Sequence, residues 1–151
     1  MLRDVHRQRL DKIEHMRDDI LKAGEEAQDM KRLPDWIVSD LIDEGFFRFA
    51  LPTEMGGDNA SSMETIEVLE HLGAIDASVS WNVMLGSEIN AMAVGGMDPE
   101  LAKKIYLDNP RVVMCGGGGP GTKPPRAERQ KDGSVKVWGQ NTFISGCHNA
   151  S

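Results

Sequence analysis

The chain of 151 residues has only two cysteines, Cys115 and Cys147. They make neither a CxxC metal pair nor a disulfide framework, so both read as packed thiols. No run of 18 apolar residues occurs, which argues against a spanning helix, and the opening MLRDVHRQRLDK is too charged for a secretory signal. The expectation is a cytoplasmic protein without a membrane partner. Clustered basic residues are also missing. With 17 Lys and Arg against 24 Asp and Glu, the formal charge is -7, and nothing concentrates positive charge for a phosphate backbone, so nucleic acid is not an expected partner. The four histidines, His6, His15, His71 and His148, show no HExxH or other metal spacing. Ser145 and His148 lie too close in one short segment to form a nucleophile pair without a third group.

The glycine run Gly116 to Gly121 satisfies G-x-G-x-x-G by composition, yet Thr122-Lys123-Pro124-Pro125 forbids the helix that a dinucleotide or triphosphate site needs behind it. What such a run does permit is close approach of a flat group to the backbone, with N–H donors available.

What is present is mostly helical. Leu10, Ile13, Met16, Ile20, Ala27 and Met30 recur at helical steps between charged residues and predict one amphipathic helix, weakest at Gly24. Pro34 suits the first turn of a second helix with Ile37, Val38, Leu41 and Ile42 buried, and Gly45 is placed for a left-handed cap. Phe46, Phe47 and Phe49 demand burial, and Pro52 with Gly56-Gly57 enforces a turn. Ser61 and Glu64 have capping-box spacing, starting a third helix through Ile66, Leu69 and Leu72 to Gly73. Asp76 is positioned to cap the next helix.

From Ala77 to Val94 the chain is apolar on nearly every side, which predicts a helix buried in the middle of a bundle. Its polar exceptions, Ser80, Asn82, Ser87, Glu88 and Asn90, then need partners within the fold or a pocket to line. Gly95-Gly96 breaks this helix, Asp98-Pro99 starts another, and Asn109-Pro110 stops it.

Composition changes at Arg111. Arg126 to Gln130 and Val135 to Trp138 flank Asp132-Gly133, a hairpin signal, and a further apolar run at Phe143 and Ile144 follows a Gly139-Gln140 break. The expected class is α+β, with an all-α domain over 1–110 and the first strands of a second domain over 111–151. A strand left unpaired at the end is unstable alone, so the chain is expected to be the front part of a longer protein.

The order RLPDWIVSDLIDEGFFRFALPTEMGG, a Glu-rich helix, DASVSW, a glycine loop and a hairpin ending GQNTFISG resembles the acyl-CoA dehydrogenase superfamily: its N-terminal helical domain and the start of its β-barrel-like middle domain. The resemblance implies a flavin oxidoreductase and a homotetramer. The family's strand pattern of aromatic, isoleucine and small hydroxyl falls on Phe143, Ile144 and Ser145, which would line the face of the isoalloxazine ring, with the Ser145 hydroxyl near N5. Cys115, Gly117 and Gly118 would lend backbone to the ring's edge. Trp81 and Glu88 are candidates for the substrate-pocket wall, and no catalytic residue is assigned.

The family's Thr-Glu-Pro-x-x-Gly-Ser-Asp loop is replaced by Gly118-Gly119-Pro120-Gly121-Thr122. Arg126-Ala127, the hairpin and FISGC with His148 are more similar to the flavin-dependent monooxygenase branch, which hydroxylates phenols and related rings. A histidine that this branch often carries near Glu88 to Asn90 is absent. The implied cofactor is FAD, or reduced FMN or FAD supplied by a flavin reductase, and the substrate is an aromatic compound or, in a dehydrogenase, an acyl-CoA. A competing class is a non-enzymatic helical interaction module whose hairpin docks on a partner. On the enzyme reading, the chain by itself is expected to bind flavin weakly or not at all and to turn over nothing.

Overall fold

Backbone capping accounts for most of the element boundaries in the computed structural model, which describes residues 3–117 and 119–150, with backbone alone for 119–122. The helices are α1 (Asp4–His15), α2 (Arg17–Met30), α3 (Asp35–Asp43), α4 (Ser62–Ile75), α5 (Ala77–Gly96) and α6 (Pro99–Asp108), with a single 3-10 turn at Thr53–Met55. An antiparallel hairpin of β1 (Gly119–Arg129) and β2 (Val135–Thr142) follows. The α+β class expected from the pattern is the one found. No helix among the described residues is long and apolar enough to cross a membrane.

The long amphipathic helix expected at the start is two helices, interrupted at Met16 (φ -89°, ψ 4°). Neither Gly nor Pro marks that break, so periodicity ran straight through it. Gly24, the suspected weak point, is buried inside α2 for a packing reason: a Cβ there would overlap the carboxylate of Asp76. Pro34 stands one residue earlier than expected, as the N-cap of α3. At the other end Gly45 (φ 78°) donates to Ile42 O at 2.9 Å and Phe46 N to Leu41 O at 2.8 Å, the paired bonds of a Schellman cap. The Ser61–Glu64 capping box is complete, and Asp76 accepts the Val79 N–H at 2.9 Å to start α5.

α4 lies along α5, α1 packs on α4, and α2 on both α4 and α5. Phe46, Phe47 and Phe49 enter one core with Ile13, Ile37 and Leu72, all essentially inaccessible to solvent. A smaller cluster joins Leu51, Met55, Ala102, Tyr106 and Val112 beneath α6. Ile66, expected on the buried stripe of α4, is exposed; Val68 and Leu72 take the inward positions.

α5 is not buried all round. Its inward face is Val79, Ser80, Val83, Gly86, Ser87 and Asn90, while Trp81 is 53% and Met92 64% exposed. Small residues face inward because the neighbours are close: a Cβ on Gly86 would run into the Phe47 ring. The uniform apolarity hid this sidedness.

In the hairpin, Gln130 N donates to Ser134 O at 2.8 Å and Gly133 (φ 87°) makes the turn. β1 begins earlier than the hairpin signal indicated and runs through Pro124-Pro125, with register irregularities between Pro120 and Lys123 and between Lys123 and Arg126. Prolines are tolerated in a strand at such irregularities. β2 also passes through Gly139 (φ 146°), whose missing Cβ lets the backbone lie against Pro125. β2 stops at Thr142, so Phe143 and Ile144 are not strand residues.

Candidate functional site

Three segments distant in sequence meet at the base of the hairpin. The first, Val112 to Gly117, is anchored by Asn90 of α5, which is fully buried. Asn90 Nδ2 donates to Phe47 O at 2.9 Å and Val112 O at 3.4 Å, and its Oδ1 accepts the Met114 N–H at 3.0 Å. The Tyr106 hydroxyl donates to Asn90 O at 3.1 Å, and burial pushes that phenol's pKa up. Every polar atom of the amide side chain therefore has a partner, as burial requires.

Past that anchor, Cys115 is half-buried, a Cβ on Gly116 would press on Ile89, and Gly117 is exposed. A Cβ on Gly117 would stand 2.9 Å from Ile144 Cα and inside contact of Phe143 O. The glycine loop and the residues after β2 are thus packed backbone against backbone. Gly118, expected beside Gly117 at the ring's edge, lies outside the described residues.

Phe143 adopts φ 58°, and its side chain is 85% exposed. A bulky residue in the left-handed region costs on the order of 1–3 kcal/mol, and an exposed ring adds the loss of hydrophobic burial. Ile144 and Ser145 are half-buried and turn into a cavity of about 260 Å³ that Trp81 and Asn82 of α5 also line. Asn149, buried, donates to Asn82 Oδ1 at 2.6 Å and fastens the 144–149 turn to α5.

The structure thus brings Trp81, Ile144 and Ser145 into one opening and sets Gly117 behind Phe143 and Ile144. Glu88 belongs elsewhere. It is exposed, at a second opening of about 420 Å³ between α4 and α5 where Met84, Ala91 and Met92 provide apolar wall. Trp81 and Glu88 are seven residues apart and so share a side of α5, but each serves a separate opening.

Lys31, Arg32 and Leu33, at the α2–α3 corner, also line the Trp81–Ser145 cavity. Sequence reasoning passed over them, because their only local signal is a left-handed Lys31 (φ 58°) ending α2, where glycine is the usual choice. Arg32 is bound to Asp35, which holds that carboxylate below its ordinary range.

Residues 4–108 match the family described as "Acyl-CoA dehydrogenase, N-terminal domain". The chain is 30% identical over 119 residues to an indole-3-acetate monooxygenase of Acinetobacter baumannii, covering 76% of this chain and 29% of that protein. It is 25% identical over 140 residues to the oxygenase subunit HsaA of a flavin-dependent monooxygenase of Mycobacterium tuberculosis, covering 92% and 34%. Among solved structures, a 3-HSA hydroxylase from Rhodococcus sp. RHA1 superposes with a TM-score of 0.77 at 22% identity over 95% of this chain and 35% of that one, a likeness of fold. The chain spans about a third of the length of these relatives. On the match over 4–108, the chain belongs to the acyl-CoA dehydrogenase family through its N-terminal domain.

Proposed function

We propose that this chain is the front part of a flavin-dependent monooxygenase of acyl-CoA dehydrogenase fold, one that hydroxylates a small aromatic substrate. The division into a helical domain over 1–110 and the start of a middle domain over 111–151 is part of that reading. So are a soluble cytoplasmic homotetramer and a separate flavin reductase, the last supported by the words "oxygenase subunit" in the name of the mycobacterial relative.

Phe143 carries the proposal. Its ring stands out in solvent from a strained backbone, with Gly117 admitting no side chain behind it. Both costs are offset if the ring lies against a planar group, and the isoalloxazine system is such a group. The residues present fit it: Phe143 would cover the ring, Ile144 would exclude water, and the Ser145 hydroxyl would form an oriented hydrogen bond at N5. The backbone of Cys115 and Gly117 would meet the ring's edge. Reduced flavin, when bound, supplies the electrons with which dioxygen places one oxygen atom on the substrate and the other in water. This chain's share is orientation and dryness, because a preorganised donor in a site closed to water is stronger than one in solvent. Trp81 and Glu88 would each form part of a substrate-facing wall, at their separate openings.

The test supplies the complete gene product with reduced flavin, a panel of phenols and indoles, and isotopically labelled dioxygen. Mass spectrometry is expected to find one labelled oxygen in an aromatic product and no dehydrogenation of acyl-CoA. Unlabelled aromatics together with an oxidised thioester would overturn the monooxygenase reading.

A further inference from the structure

We propose that the groove between the α2–α3 corner, α5 and the 144–149 turn binds the anionic group, carboxylate or phosphate, of a planar aromatic ligand. Lys31 and Arg32 hold the charge and the Trp81 indole takes the ring. The proposal rests on the flavin reading only in placing Ser145, one of the groove's wall residues, beside the cofactor.

Charge is the first argument. The chain has 24 acidic against 17 basic residues, yet no carboxylate lines either of the two adjoining openings here, of about 260 and 160 Å³. Both openings are lined by Lys31, Arg32, Leu33 and Asn82, which makes them one groove. Asp35 engages Arg32 from outside the lining, whereas Lys31 has no ion-pair partner among the described residues. Its ammonium spends one donor on Gln28 O and keeps two.

Backbone conformation is the second. Lys31 has φ 58°, where glycine or asparagine sits at less cost, so a cationic side chain stands at this corner in spite of the strain. Planarity is the third. Trp81 is 53% exposed at the same groove, and a large flat apolar side chain beside cations matches a ligand with a ring at one end and negative charge at the other. The Asn82 amide and the His148 imidazole add polar atoms to the wall. The larger opening has the opposite character, with Glu88 on an apolar wall, and disfavours anions.

The experiment measures binding to the full chain by calorimetry and by the Trp81 indole N–H resonance, using two matched pairs, 2-naphthoate against 2-naphthamide and FMN against riboflavin. In at least one pair the charged member is expected to bind about tenfold tighter, with the indole signal shifting. The preference should shrink between about 0.05 and about 0.5 M salt. Lys31→Gly and Arg32→Gln are each expected to bring the charged-to-neutral ratio to within about twofold, a loss of charge assistance alone. The melting temperature of Lys31→Gly should not fall, because glycine relieves the left-handed strain.

A preference in the naphthoate pair identifies the anion as a substrate carboxylate, and one in the FMN pair as a cofactor phosphate. Equal affinities within both pairs, or a preference that survives both substitutions, would overturn the groove. A naphthoate preference with neither flavin perturbing Ser145 would leave the groove standing and remove the flavin from beside it.

Discussion

The Asn90 side-chain oxygen accepts the backbone N–H of Met114 at 3.0 Å from a position with no solvent access. Through that bond and its donation to Val112 O, one amide on α5 fixes where the chain leaves the helical layer and enters the glycine loop. Asn90 therefore links the stability of the helices to the placement of Cys115 and Gly117.

Replacing Asn90 by leucine leaves the Phe47 carbonyl and the Met114 N–H without their partner inside the fold. Stability should fall by about 2–4 kcal/mol, the range for stranding buried polar groups. Urea denaturation followed by circular dichroism measures it, and a loss below about 0.5 kcal/mol, the scatter of ordinary surface changes, would show that the amide is dispensable.

Gly24→Ala separates propensity from packing. Inside a helix alanine is favoured over glycine by about 1 kcal/mol, so the local rule predicts a stabilised protein. In the fold, the added methyl displaces the Asp76 carboxylate that caps α5, and the variant should be less stable by about 1–3 kcal/mol. Thermal denaturation gives the sign.

Glu64 is a source of acid sensitivity. The Arg3 guanidinium, bonded at 2.6 and 2.7 Å, and then the Ser61 backbone N–H at 2.8 Å lower its pKa from 4.5 to about 2. A carboxylate depressed on folding contributes stability that is fully present above pH 4.5 and is lost as pH falls through about 2. Glu64→Gln should flatten the pH dependence of stability across that window. An unchanged acid limb would mean that the pair with Arg3 is not held in solution.

Much of the fold was legible because its signals are local. The Ser61–Glu64 box, the Asp76 and Asp98 caps, the Gly45 terminator and the Asp132-Gly133 turn each need only a few neighbouring residues to specify them. Periodicity failed where it does not discriminate. It ran past Met16, where the break is only a local change in backbone angles, and it could not choose a face for α5, where apolar residues occur on all sides and small ones mark the interior. Of the residues named from the family resemblance, the fold brings Trp81, Ile144 and Ser145 to one opening, leaves Phe143 exposed beside it and puts Glu88 at another. Lys31 and Arg32 could not be read that way, because their relation to Trp81 and His148 is created by tertiary packing.

The central claim is that Phe143 and Ser145 meet a flavin. It is tested most directly by titrating the complete gene product with FAD and FMN, following the visible spectrum and affinity for the native protein, Phe143→Ala and Ser145→Ala. Phe143→Ala keeps the left-handed backbone but removes only an exposed ring, so it should fold as well as the native protein, yet bind flavin about tenfold more weakly, as expected for loss of an aromatic contact of about 1–1.5 kcal/mol. Ser145→Ala should shift the flavin absorption bands through loss of the hydrogen bond at N5. Native affinity and an unshifted spectrum in both variants would contradict the account.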